Sequence, residues 1–152
     1  MGRPVVLLLH GPNLNLLGQR DPELYGTSTL DELVDATTAA AEAGGMALEH
    51  IQSNAEAELV EAIHAARGRC AAIIINAGSL THYAWSLHDA LEAFAGVKIE
   101  LHLSNPNARE SWRHTSVVAP VVDGSILGLK GIGYVLAVEA VRRLLEGRST
   151  PP

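Results

Sequence analysis

A single cysteine, Cys70, stands in 152 residues. That excludes an intramolecular disulfide and any zinc site built on several thiolates, and it suits a reducing cytoplasm. Positive charge is also scarce: 11 basic residues face 17 acidic ones, for a formal net charge of −6, and no basic cluster is longer than the pair Arg142-Arg143. Nucleic acid and anionic membrane surfaces are therefore poor candidates for partners. The 7 histidines show neither HExxH nor Cys-His spacing, so no metal site is expected. Long apolar runs are missing. Val5 to Leu9, the longest early one, is too short for a signal-peptide core or a membrane span, and the mature protein is expected to start at or near Met1.

The residues that are present describe a packed globular chain, 47% hydrophobic and 18% charged, with no repeat, linker or low-complexity tract. Residues 1–146 are expected to form one domain, and residues 147–152 (GRSTPP) a flexible tail. Val5 to Leu9 and Ala71 to Ile75 are short continuous apolar runs, the pattern of strands buried on both faces of a parallel sheet. Thr29-Leu-Asp-Glu32 is a capping box that opens a helix ending at Gly44-Gly45. A strand follows at about Met46 to Gln52, then a helix from Glu56 to Ala66 capped by Ser53 or Asn54. A helix is expected from His82 to Phe94, an alternating strand from Val97 to Leu103, a short strand at Ser125 to Leu127, and a last helix from Tyr134 to Leu145. Strand and helix alternate five times, which predicts an α/β flavodoxin-like three-layer fold with a five-stranded parallel sheet in the order 2-1-3-4-5. In such sheets ligands bind beyond the carboxyl ends of the strands, beside the switch point between strands 1 and 3.

Polar groups gather where that rule places them. Strand 1 runs into His10-Gly-Pro-Asn-Leu-Asn and a connection of roughly twenty residues, long for a βα loop and suited to a lid. Strand 3 runs into Asn76-Ala-Gly-Ser-Leu-Thr-His82. Strand 4 ends in Glu100-Leu-His-Leu-Ser-Asn105, with Arg109 and Arg113 beyond it. Glu100 and His102 are two apart on one strand and so share a face, where the carboxylate can receive the Nδ1 hydrogen of the imidazole and fix its tautomer. The same alternation also describes a solvated stripe on an edge strand.

The runs GPNLNLLGQRDPELYG, QSNAEAELVEAIH, INAGSLTHYAWSLHDAL, IELHLSNPNARESWRHTS and GLKGIGYVLA, in this order between Val5 and about Leu145, resemble the type II 3-dehydroquinate dehydratases. The resemblance implies conversion of 3-dehydroquinate to 3-dehydroshikimate, in the shikimate pathway, without metal or organic cofactor and without a covalent intermediate. It also implies a homododecamer, a tetramer of trimers. The sequence departs from the family pattern at Ala77, where proline is usual, at Thr115, where a second histidine is common, and at Ala57, where glycine is frequent. None of these positions carries a side chain to which the family assigns chemistry.

Removing a proton beside a ketone and expelling hydroxide from the next carbon asks for a base, an enolate stabiliser, an acid and a carboxylate seat. The resemblance implies Tyr25 as base and His102, oriented by Glu100, as acid. A phenol serves as a base only when cations stabilise its anion, and Arg20 and Arg113 are the expected sources. By the same resemblance Asn13 holds a water against the enolate, Asn76 seats the carboxylate with the backbone amides of Leu103 and Ser104, and His82 and Arg113 contact ring hydroxyls. Asp89 is expected on the same helix as His82, about 10 Å further along its axis; one pocket is not expected to use both, and the resemblance sends Asp89 across a subunit interface toward Arg113 of a neighbour. GLKGIG lacks the GxGxxG spacing of a dinucleotide loop and reads as tight packing before the last helix. Two other functions fit the fold. A non-catalytic binding module is expected to have lost at least one of Arg20, Tyr25, Asn76, His102 and Arg113, and all five are present. A Schiff-base dehydratase needs a desolvated lysine, and Lys98 and Lys130, the only two, are expected to lie away from the motif loops.

Overall fold

The computed structural model describes residues 2–149. Five strands, β1 (Val5–His10), β2 (Ala47–Gln52), β3 (Ala72–Asn76), β4 (Val97–His102) and β5 (Gly124–Leu127), form one parallel sheet in the order β2-β1-β3-β4-β5, as the sequence pattern predicts. The helices are α1 (Pro22–Tyr25), α2 (Leu30–Ala43), α3 (Glu56–Ala66), α4 (Trp85–Glu92) and α5 (Ile132–Ser149). The two-residue period of β1 and β3 divides the core. Val6, Leu8 and Ile74 pack with α2 and α5, while Leu7, Leu9, Ile73 and Ile75 pack with α3 and α4. All of these strand residues have no exposed surface, which is why the two segments read as unbroken apolar runs.

Local chemistry sets the helix ends. Thr29 Oγ1 accepts the Glu32 amide hydrogen (3.2 Å) and its hydroxyl donates to the Glu32 carboxylate at the same distance, so the Thr29 half of the expected capping box caps the helix. The cap of α3 differs from expectation. Ala55 occupies the N-cap position, Ser53 Oγ accepts the Ala55 amide, and Asn54 Oδ1 is drawn away to the Asn13 amide (3.0 Å), tying the loop after β1 to the loop after β2. The helix expected from His82 to Phe94 is also shorter. Gly78, left-handed at φ 60, opens a 3-10 turn over Gly78–His82, and Tyr83 (φ −154, ψ −1) interrupts before α4 starts at Trp85. His82 and Asp89 therefore do not share a helix. At the other end α5 runs through Gly147 to Ser149, three residues into the segment expected to be a tail; the remainder of that segment lies outside the described residues.

Two close approaches shape the carboxyl edge of the sheet. Gly11 donates its amide hydrogen to the Asn76 carbonyl (2.8 Å), and a Cβ at Gly11 would overlap the Ala77 carbonyl. The tips of β1 and β3 are thus pressed together by backbone contact, with Ala77 fully buried at the junction. Ala57 is exposed on α3, so that departure meets no packing constraint.

Candidate active site

A cavity of about 220 Å³ opens beyond the carboxyl ends of β1, β3 and β4. The long connection after β1 contributes Arg20 and Tyr25, the β3 tip Asn76, the turn after it His82, and the end of β4 His102, Leu103 and Ser104. Asn13 reaches the cavity from a left-handed conformation (φ 68) at the head of the Leu14–Leu16 turn, a geometry asparagine tolerates better than most residues. Arg113 completes the set. Ten of the eleven expected residues thus meet at one place: nine line the cavity and Glu100 lies behind His102. Asp89 is the exception, exposed on α4 and outside the cavity lining.

The phenol is gripped by two guanidinium groups. Arg20 Nη2 donates to the Tyr25 oxygen at 2.7 Å, with the guanidinium carbon 3.9 Å from the ring centroid. The second cation is Arg109, and not Arg113 as expected: Arg109 Nη1 donates to the Tyr25 oxygen and to Ser104 Oγ, both at 3.0 Å. Arg113 instead stacks on Trp112 (4.1 Å) and donates to Glu110 (2.5 Å). The physical reason is the turn Pro106–Ala108, which ends at Arg109 and brings it back over the β4 tip, while Arg113 lies one turn further, on Ser111–His114. Arg109 is the cavity residue bonded to Tyr25 that the sequence-based assignment of roles omitted, although its position after the β4 tip was legible.

Glu100 is buried, as is His102, so the solvated-stripe alternative is overturned. The carboxylate accepts from Ser116 Oγ (2.8 Å) and Ser125 Oγ (2.9 Å), from the Thr81 hydroxyl, and from His102. Burial pushes its proton affinity up, but the hydrogen bond and charge of His102, with the Thr81 and Ser116 hydroxyls, outweigh burial and hold its pKa at about 2. The His102 bond runs from Nε2 (3.0 Å) and not from Nδ1 as expected, so Nδ1 is the ring nitrogen that Glu100 leaves for other partners. His82 is fixed by its Nδ1 bonding the Thr115 carbonyl (2.7 Å) and by an edge contact with Trp112. A backbone atom does this work, which explains how threonine serves at that position. Burial holds His82 below its ordinary pKa.

Asn76 Oδ1 accepts the Gly78 amide (3.3 Å), and its Nδ2 donates to the Tyr134 hydroxyl (3.2 Å). From there a buried line of polar groups leads away from the cavity, through His10 to His50 on β2. One further expectation is corrected: Lys130 does adjoin a motif loop, its side chain lying 3.8 Å from where a Cβ of Gly26 would stand, although it does not line the cavity.

The family model described as Dehydroquinase class II matches residues 4–142. The 3-dehydroquinate dehydratase of Halalkalibacterium halodurans is 47% identical over 142 residues, covering 93% of this chain and 96% of that protein. The 3-dehydroquinate dehydratase 2 of Pseudomonas putida is 46% identical over 147 residues, covering 97% and 99%. Among solved structures, the type II dehydroquinase from Propionibacterium acnes superposes with a TM-score of 0.89 at 37% identity, covering 93% of this chain and 98% of that one. With the sheet order, the tyrosine between two arginines and the Glu100-His102 pair already in place, these matches show that the chain belongs to the class II dehydroquinase family.

Proposed function

We propose that this protein dehydrates 3-dehydroquinate to 3-dehydroshikimate by a metal-free, non-covalent trans elimination through an enolate. The observation that carries the reading is the Tyr25 oxygen held by Arg20 and Arg109 in the cavity that also contains His102. Two guanidinium groups donate to one phenol oxygen, and that oxygen is the atom that takes the proton beside the substrate ketone. The electrons left behind form an enolate, stabilised by the positive charge of Arg20 and by a water held at Asn13. His102, paired to Glu100 through Nε2, then gives a proton to the departing hydroxyl as its C–O bond breaks, and the double bond forms in conjugation with the carbonyl. Asn76 and the amides of Leu103 and Ser104 seat the carboxylate, while His82 and Arg113 hold ring hydroxyls.

The same reading includes a cytoplasmic homododecamer, a tetramer of trimers, in which Asp89 reaches the site of a neighbour. Its support is the placement of Asp89, exposed on α4 and away from its own cavity. Among the described residues no helix is long and apolar enough to cross a membrane. The deciding experiment follows enone absorbance after purified protein is mixed with 3-dehydroquinate. Absorbance rises if the reading is right. A folded preparation that binds the substrate without absorbance change is instead the non-catalytic module.

A further inference from the structure

Behind the cavity, four side chains are joined from the β3 tip to the far edge of the sheet. Asn76 Nδ2 lies 3.2 Å from Tyr134 Oη, that oxygen 2.7 Å from His10 Nε2, and His10 Nδ1 2.9 Å from His50 Nε2. Tyr134 and His10 have no exposed surface, and their rings stack at 5.5 Å and 17°. We propose that Tyr134 and His10 are positioning residues: a hydrogen-bond relay of one polarity, Asn76 to Tyr134 to His10 to His50, orients the Asn76 amide toward the cavity and makes that orientation answer to His50.

The polarity follows from the donor inventory. Because Asn76 Oδ1 accepts the Gly78 amide, the group facing Tyr134 is the NH₂. One of its hydrogens goes to Tyr134, which leaves the other for a ligand in the cavity that Asn76 lines. Tyr134, already accepting, gives its own hydrogen to His10 Nε2. A neutral imidazole that accepts at Nε2 carries its hydrogen on Nδ1, and that hydrogen goes to His50 Nε2. Burial keeps the interior members neutral, holding His10 at about 3 and Tyr134 above the ordinary phenol range, so no internal charge reverses the sequence. His50, partly exposed on β2, is the member that solvent reaches. It faces His10 from β1 and Asp31 from α2.

Protonating His50 puts a hydrogen on its Nε2, directly opposite the His10 Nδ1 hydrogen. The clash is relieved when His10 shifts its hydrogen to Nε2, which then donates to Tyr134. The Tyr134 hydrogen is left competing with the Asn76 NH₂, and the seat loosens.

The inference rests on the proposed function only in taking Asn76 as the carboxylate seat. The test uses the full chain with 3-dehydroquinate. Tyr134→Phe is expected to raise KM about tenfold, the value of one hydrogen bond, with kcat within about twofold; an unchanged KM overturns the relay. Should that variant fold poorly, the exposed end carries the test. Burial lowers the His50 pKa, so wild-type KM is expected to rise several-fold as pH falls below the ordinary histidine range, and His50→Gln, whose Oε1 accepts from His10 without titrating, to flatten that rise. A rise in His50→Gln equal to that of the wild type overturns the relay. In ligand-free protein labelled with ¹⁵N, the Asn76 side-chain amide signals are expected to move with the His50 titration in the wild type and to stay still in His50→Gln; signals indifferent to His50 overturn the proposal. If the wild type gives no turnover, the dehydratase reading fails while the NMR comparison still decides the relay.

Discussion

Glu100→Gln is a near-isosteric change with a calculable cost. The carboxylate is buried and collects four side-chain donors, from Thr81, Ser116, Ser125 and His102. A glutamine can place its oxygen where Oε2 now accepts and turn its NH₂ toward Ser125, whose hydroxyl can rotate to accept, so no buried group need be orphaned. What disappears is the charge. Hydrogen bonds to charged groups exceed neutral ones by about 1–1.5 kcal/mol each, so four of them set an upper bound of about 4–6 kcal/mol, from which the cost of burying the charge is subtracted. The lowered pKa reflects the same contacts with the cost of burial included: a carboxyl held at about 2 in the folded protein against an ordinary 4.5 contributes about 3 kcal/mol at neutral pH. The sign follows because the folded-state pKa lies below the unfolded one. The stabilisation is complete above the unfolded value and is lost as pH falls from about 4.5 toward 2. Urea unfolding at fixed protein concentration should place Glu100→Gln about 3 kcal/mol below the wild type at pH 7, with the gap about 1.4 kcal/mol narrower at pH 3.5. A gap under about 1 kcal/mol at pH 7, or one that ignores pH, would refute the view that Glu100 is a charged anchor.

Tyr25→Phe should keep the ring packed between its arginines and lower kcat by about 10²–10⁴, with inhibitor affinity nearly retained; near wild-type kcat would remove Tyr25 from the mechanism. Arg109→Ala frees both Tyr25 and Ser104 and is expected to lower kcat about a hundredfold, whereas an effect confined to KM would limit Arg109 to binding. Gly11→Ala forces the β1 and β3 tips apart against the Ala77 carbonyl and should cost about 3 kcal/mol in denaturant unfolding; a neutral result would mean that the junction yields freely.

The sheet was legible because both faces of β1 and β3 are covered, so burial left an unbroken apolar signature in each. The start of α4 was not, since the turn at Gly78 and the break at Tyr83 depend on how the segment meets its surroundings, and the local residues permit a continuous helix. Glu100 and His102 could be placed on one face by counting, but which ring nitrogen faces the carboxylate depends on a rotation that no spacing records. Arg109 and Arg113 are equivalent as cations in a loop; the turn between them decides which one returns to Tyr25. His10 and Tyr134 were hidden for a different reason. Each read as the boundary of an element, and their pairing joins positions 124 apart in the chain.

The arginines at the cavity also govern what approaches it. Arg113 is matched by Glu110, while Arg20 and Arg109 set two positive charges around the single Tyr25 oxygen, so the cavity lining stays cationic on a chain whose net charge is −6. At physiological salt the potential of that lining extends outward only about 8 Å. Beyond this range a passing anion meets an acidic body that repels it. A small anion can place its whole charge inside the attractive zone, while a large polyanion must leave much of its charge over the acidic surround. Size discrimination thus begins in the field at the cavity mouth, before any ligand touches a side chain.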